Sequence, residues 1–189
     1  NLSEDVNGAK AVILPRYQYA DEHGNIQGVI LVEVSDKNIF LYNGNSENKS
    51  VQLNFDKSEN IKNIDVKFVM PQQVETLRGE NMLVYTSRFP IYFTAKIEDR
   101  SKDVLIKPLL SASVCDQKDC KRVSLNPVLK LEHTEEVEET LYASYVVTAS
   151  MNVPDDFYKD KYEFGDLVWE KKNDGNLGCL RIDVKTSNN

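Results

Sequence analysis

The chain has 189 residues, a formal net charge of -7 and 41% hydrophobic residues, with a mean hydropathy of -0.46. That length fits one ordinary domain with an appendage, or two small domains, and can bury a core without disulfides as staples. The acidic balance argues against a general binder of nucleic acid or anionic membrane, because phosphate surfaces reward clustered Lys and Arg, and no apolar run approaches the roughly 20 residues that span a bilayer.

Residues 1–10 are polar and expected to be loose. The chain starts at Asn1 with no leader in view, which suits a processed secreted protein or a trimmed piece of a longer one. Val12, Ile13 and Leu14 before Pro15 predict a short first strand, and residues 21–25 (Asp-Glu-His-Gly-Asn) a turn. Residues 28–34, rich in Val and Ile, read as a strand. Residues 39–42 (Ile-Phe-Leu-Tyr) follow, then a polar loop over 43–48. Val51, Leu53 and Phe55 alternate, as do Ile64, Val66, Phe68 and Met70. Residues 71–81 read as a loop and 83–85 as a short strand. Phe89, Ile91, Phe93, Ala95 and Ile97 give the clearest alternation in the chain, before a turn over 98–103.

Next comes a pair of cysteines, Cys115 and Cys120, between two alternating runs. Leu110, Ala112 and Val114 lead in; Val123 and Leu125 lead out, followed by Leu129 and Leu131. The period is that of strands, so the cysteines close a hairpin whose four-residue loop lets the sulfurs approach. The pattern changes at residue 132. Thr134 is positioned to cap a helix with an acidic first turn; Val137, Leu141 and Tyr145 repeat at helical spacing, and Pro154 marks the stop. Residues 166–169 and 180–184 read as strands around a turn at 173–176. The expected fold is therefore all-β: a β-sandwich with a short helix and an added C-terminal β segment. The domains divide at 12–132 and 133–189, the latter a helix plus β-hairpin extension or the start of a second domain.

The chain has three cysteines. In an oxidising compartment this odd count gives one pair and one free thiol, or pairing with another molecule; in a reducing one, all are thiols. The pair has three readings: a reversible disulfide, a structural brace, or two metal ligands. A brace gains about 3 kcal/mol or less from so short a loop. Metal binding needs two further ligands, and His23, His133 and Cys179 lie in unrelated contexts. Cys179, in Gly-Cys-Leu, reads as a small buried hydrophobe. The acidic run at 135–139 reads as a solvated helix face. There is no Gly-x-Ser-x-Gly, phosphate loop, His-Glu-x-x-His or Cys-x-x-Cys, and no cofactor is implied.

Three blocks in order carry a family likeness over residues 12–131. They are Phe40-Leu41-Tyr42; Met70-Pro71-Gln72-Gln73 with Gly79, Tyr85 and Phe89-Pro90-Ile91; and Ser113-Val114-Cys115 to Cys120 with Val123-Ser124-Leu125. Together they resemble the N-terminal periplasmic domain of DsbD-type thiol:disulfide interchange proteins, including the ScsB-like branch. Lys121 and Arg122 stand where the family usually carries a proline.

The resemblance implies that the all-β fold is an immunoglobulin-like β-sandwich, and that it is a periplasmic exchange domain that relays electrons. Cys120 would be the sulfur that engages partners and Cys115 the resolving one, with Phe40, Tyr42 and Leu77 shielding the pair. The implied partners are thioredoxin-like periplasmic proteins, disulfide isomerases and cytochrome-maturation factors, with a membrane-embedded electron donor in the same or another chain. Lys118, Lys121 and Arg122 would favour a thiolate; Asp116 and Asp119 oppose it. Phe40 and Tyr42 also suit plain strand packing, and Leu77 a plain loop. The competing function is a non-catalytic immunoglobulin-like binding module with a structural disulfide.

Overall fold

The structure is a computed structural model. It describes residues 8–34, 40–42, 50–69, 71–75, 79, 81–86, 88–116 and 119–140, with backbone alone at Phe40 and Tyr42, and the backbone of 145–150, 167–171 and 177–182. In chain order the strands are β1 (Ala9–Pro15), β2 (Asn25–Val34), β3 (Phe40–Tyr42), β4 (Gln52–Asn54) and β5 (Ile61–Phe68). They continue with β6 (Gln72–Glu75), β7 (Asn81–Tyr85), β8 (Arg88–Ile97), β9 (Val104–Ile106) and β10 (Leu109–Cys115). The last are β11 (Cys120–Leu125), β12 (Leu129–Leu131), β13 (Tyr145–Ser150), β14 (Leu167–Lys171) and β15 (Leu177–Ile182).

One sheet has four strands in the order β1-β2-β8-β5. A second runs β11-β10-β3-β7-β6, with β4 also on β10. The inner edge of β10 is shared: β4 pairs with Leu109 to Ser111, and β3 pairs with Val114 and Cys115. Small ladders join β12 to β9, and β13 and β14 to β15. All these pairings are antiparallel.

Alternation explains the sandwich. In β1 every second residue is buried, from Ala9 through Ala11 and Ile13 to Pro15. Central β8 buries both faces through Phe89, Pro90, Ile91, Tyr92 and Phe93, as a strand covered on two sides should. The second sheet supplies Leu41, Val84, Leu110, Ala112, Val123 and Leu125 to the core. Aromatic rings fasten the layers. Phe55 lies 5.5 Å from Phe93, and Tyr85 stacks on Phe89 at 4.1 Å. The buried Tyr85 hydroxyl donates to the Val69 carbonyl at 2.7 Å, which keeps an apolar contact and satisfies the polar tip.

The turn before β2 is built by Asp21. Its Oδ1 accepts from the backbone N–H groups of His23 and Asn25 at 2.9 and 2.8 Å, while Gly24 takes the left-handed φ of 77° that the turn requires.

Ala9 and Lys10, expected to be loose, open β1, and Ala9 is buried. Two further expectations change. Among the described residues no helix follows Thr134. Residues 132–138 have no regular structure, Glu139 bridges to Tyr17, and 145–150 form β13. Thr134 Oγ1 accepts from Glu136 N–H at 3.2 Å, a local turn rather than a cap. The reason is visible in the composition. Glu135 would sit one helical turn from Glu138 and Glu139, a repulsive spacing, and Val137 is 47% exposed rather than an apolar anchor. Instead the segment lines the start of the first sheet. Gln18 N–H donates to the Glu138 carbonyl at 2.8 Å, and Thr140 N–H to the Arg16 carbonyl at 2.9 Å. The second change is the loop at 71–81, which contains β6 and the start of β7. The polar loop at 43–48 and the leading residues 1–7 lie outside the described residues.

Candidate active site

The β10–β11 hairpin ends in the two cysteines. Their register is direct: Cys115 is the cross-strand partner of Cys120, as Ser113 is of Arg122. The hairpin loop is held by its own acids. Asp116 N–H donates to the Asp119 carbonyl at 2.9 Å, and Asp119 N–H donates to Asp116 Oδ1 at 2.7 Å.

That loop hydrogen bond fixes the parity of the ladder. Antiparallel pairs alternate between hydrogen-bonded and close, non-hydrogen-bonded types. Asp116 and Asp119 form the hydrogen-bonded rung, so Cys115–Cys120 is a close rung. The Cα separation of 4.1 Å agrees, and the sulfurs are bonded. The sequence spacing thus delivers a disulfide because it puts both cysteines on the rung where side chains lie nearest.

The two ends of the bond differ. Cys115 is 1% exposed, enclosed on β10 where Ala112, Ser113 and Val114 are also buried. Cys120 is exposed at the start of β11, the terminal strand of its sheet. Cys115 Sγ lies 4.0 Å from the Ser113 carbonyl, an acceptor for its S–H once the bond is reduced. The exposed end of the bond is thus at Cys120 and the enclosed end at Cys115.

Phe40 pairs through its backbone with Cys115, and Leu41 with Val114. Tyr42 pairs with Val84 of β7. Leu77 lies outside the described residues, as does Lys118. Of the candidate cations, Lys121 takes the face of β11 opposite Cys120, and Arg122 takes the same face, since neighbours alternate. Arg122 Nη1 donates to Ser113 Oγ at 3.3 Å and to the Ser50 carbonyl at 2.9 Å. Ser113 is a buried polar side chain, 4% exposed. Sequence reading places Ser113 in the block that leads to Cys115 but gives it no role, although its place two residues before Cys115 puts it on the cysteine face. The backbone of Cys179 lies in β15. Among the described residues no group of three or more His, Cys, Asp or Glu converges on a metal-sized site.

The fold is similar to that of a solved periplasmic domain. The N-terminal periplasmic domain of ScsB from Proteus mirabilis matches with a TM-score of 0.51 and 11% identity, over 97% of this chain and 82% of that one. The reduced DsbD N-terminal domain of Neisseria meningitidis aligns with a TM-score of 0.38 and 13% identity, over 68% of this chain and 90% of that one. No family model and no curated protein matches the sequence.

Proposed function

We propose that this chain is a periplasmic thiol:disulfide exchange domain that relays electrons through Cys115 and Cys120. The observation that carries the reading is the asymmetry of the bond, with Cys120 exposed and Cys115 enclosed. Exchange proceeds by thiolate attack on one sulfur of a disulfide. A partner thiolate attacks Cys120, a partner–Cys120 disulfide forms, and Cys115 leaves as a thiolate that takes up a proton. A second partner thiol then attacks its own bonded sulfur, releasing Cys120. The dithiol partner ends oxidised and this domain reduced. The reverse sequence reduces a downstream disulfide.

The fold shared with a periplasmic ScsB domain supports the compartment and the kind of partner, a thioredoxin-like protein. Disulfide isomerases and cytochrome-maturation factors are the downstream classes, and a membrane-embedded donor the upstream one. Phe40, Tyr42 and Leu77 are assigned to shield the pair, and the register of Phe40 beside Cys115 supports the first. Residues 12–132 form the exchange domain and 133–189 its extension.

The test is reduction of the oxidised domain by a reduced thioredoxin-like protein and by an equal concentration of dithiothreitol. The proposal expects the protein dithiol to react faster. A domain reduced by dithiothreitol yet inert to thioredoxin-like proteins would be an immunoglobulin-like binding module braced by a disulfide.

A further inference from the structure

We propose that Arg122 is a positioning residue for this exchange, holding a positive charge where it favours the thiolate released on Cys115. The inference rests on the thiol-exchange reading and selects one residue from the three cations near the pair. Arg122 and Ser113 form a close rung of the β10–β11 ladder, on the same face as the rung Cys115–Cys120 and two residues from it. The guanidinium spans from β11 over Ser113 to the Ser50 carbonyl just before β4. Both of these partners are neutral oxygens, so neither cancels its charge.

Chemistry gives that charge a use. When a partner thiolate attacks Cys120 Sγ, the sulfur–sulfur bond breaks and the electron pair goes to Cys115 Sγ. Cys115 is 1% exposed, so water is a poor stabiliser of the anion, and burial raises a thiol's pKa. The Ser113 carbonyl, 4.0 Å away, favours the protonated form. A poorer leaving thiolate slows exchange. Arg122 opposes both effects. Ser113 Oγ accepts from Arg122, which leaves the serine proton free to donate elsewhere on that face.

Among the described residues on the hairpin and the adjoining strands, the other groups do not serve. Lys121 points to the opposite face of β11. Asp116 and Asp119, in the hairpin loop, carry the wrong sign. The remaining titratable side chains on the strands that adjoin β10 and β3 are tyrosines, Tyr42 on β3 and Tyr85 on β7.

The test uses the full chain carrying Cys120→Ser, which leaves Cys115 as a thiol. Its alkylation by iodoacetamide is followed against pH and read by peptide mass, so that Cys179 is resolved separately. Arg122→Gln and Arg122→Lys are compared, since both keep an N–H donor and only Lys keeps the charge; Arg122→Met is the second charge-free variant. Thermal melting establishes which variants are folded.

The proposal expects Gln and Met to slow Cys115 alkylation at pH 7 by about three- to tenfold, with the profile displaced to higher pH. Lys should restore it. Equal profiles in all variants would overturn the proposal. So would a loss that Lys does not restore, or the failure of both charge-free variants to fold, because Arg122 would then be a structural strap. Exchange of the wild-type domain with a thioredoxin-like protein is measured alongside. Its failure would remove the relay reading and leave the Arg122 result standing; its success with equal profiles would remove only the role of Arg122.

Discussion

Cys115 and Cys120 are bonded across a close rung of one hairpin, and only Cys120 faces solvent. The bond therefore has a direction. On the proposed exchange reading, attack from outside would fall on Cys120 and free Cys115, which would stay within bonding reach to resolve the mixed disulfide.

The first prediction concerns that direction. In Cys115→Ser the remaining Cys120, activated as an aromatic mixed disulfide, should transfer to a thioredoxin-like protein that retains one active-site cysteine. Cys120→Ser, activated at Cys115, should transfer at least about tenfold more slowly, because only an accessible sulfur exchanges readily. Mass spectrometry of the adducts measures both rates. Equal rates would contradict the assignment of roles.

A second prediction lies in the first sheet. A Cβ at Gly28 would sit 2.5 Å from Phe93 Cζ and 3.3 Å from the Leu14 carbonyl oxygen. Phe93 is 1% exposed and stands against Phe55, so the ring has little room to yield. Gly28→Ala should lower stability by about 1–3 kcal/mol, the usual cost of overpacking. The urea midpoint reads this directly, and an unchanged midpoint would mean the ring relocates without cost.

The third concerns Asn60, which adopts a left-handed φ of 66°. Its Oδ1 accepts from Asp99 N–H at 2.8 Å. Its amide donates to the Asp99 carbonyl at 2.8 Å, with the Lys102 and Asp103 carbonyls at 3.2 Å. Asn60→Gly keeps the backbone conformation and loses these bonds; Asn60→Ala loses both. Destabilisation of about 1–3 kcal/mol is expected for Ala, with Gly milder. Thermal melting should rank the variants wild type, Gly, Ala. An Ala variant as stable as Gly would show that φ carries nothing, and a Gly variant as stable as wild type would show that the hydrogen bonds carry nothing.

Acid should destabilise the fold through specific carboxylates. The Arg88 guanidinium, hydrogen-bonded to Glu33 at 2.9 Å, holds the Glu33 carboxyl below its ordinary value; burial opposes this and Lys10 adds to it. The backbone N–H of His133 likewise lowers Asp103, and the Ser101 hydroxyl lowers Asp99. A depressed folded-state pKa gives stability that is present above the unfolded value, and it is lost as pH falls through the folded one. Stability should therefore decline below about pH 4. Glu33→Gln should reduce the acid-side slope while costing under about 1 kcal/mol at neutral pH, since the pair is at the surface. Denaturant titrations from pH 2 to 7 test this; an unchanged slope would remove Glu33 from the account.

Much of this architecture was legible in the residues. Phe89, Ile91, Phe93, Ala95 and Ile97 alternate because β8 faces a core, and Cys115 and Cys120 sit between two alternating arms that had to fold back together. Strand β6 was hidden because Gln72, Gln73 and Glu75 leave Val74 as its only apolar residue; β7, pairing beside it, defines the strand. The segment after Leu131 misled because a four-residue spacing of Val137, Leu141 and Tyr145 ignores the repulsion among its glutamates and the β-branched Val146, Val147 and Thr148 that follow. At the site, period-two alternation places Ser113 and Arg122 on the cysteine face. That they form a close rung depends on the Asp116–Asp119 hydrogen bond, which spacing alone does not reveal.

The most direct measurement is the reduction potential of the Cys115–Cys120 pair, titrated against glutathione and dithiothreitol and read by mass after alkylation. An exchange-active pair should have a midpoint above about -300 mV, within the range of thioredoxin-like proteins. A pair that stays oxidised well below that value would be a structural brace, and the relay account would be wrong.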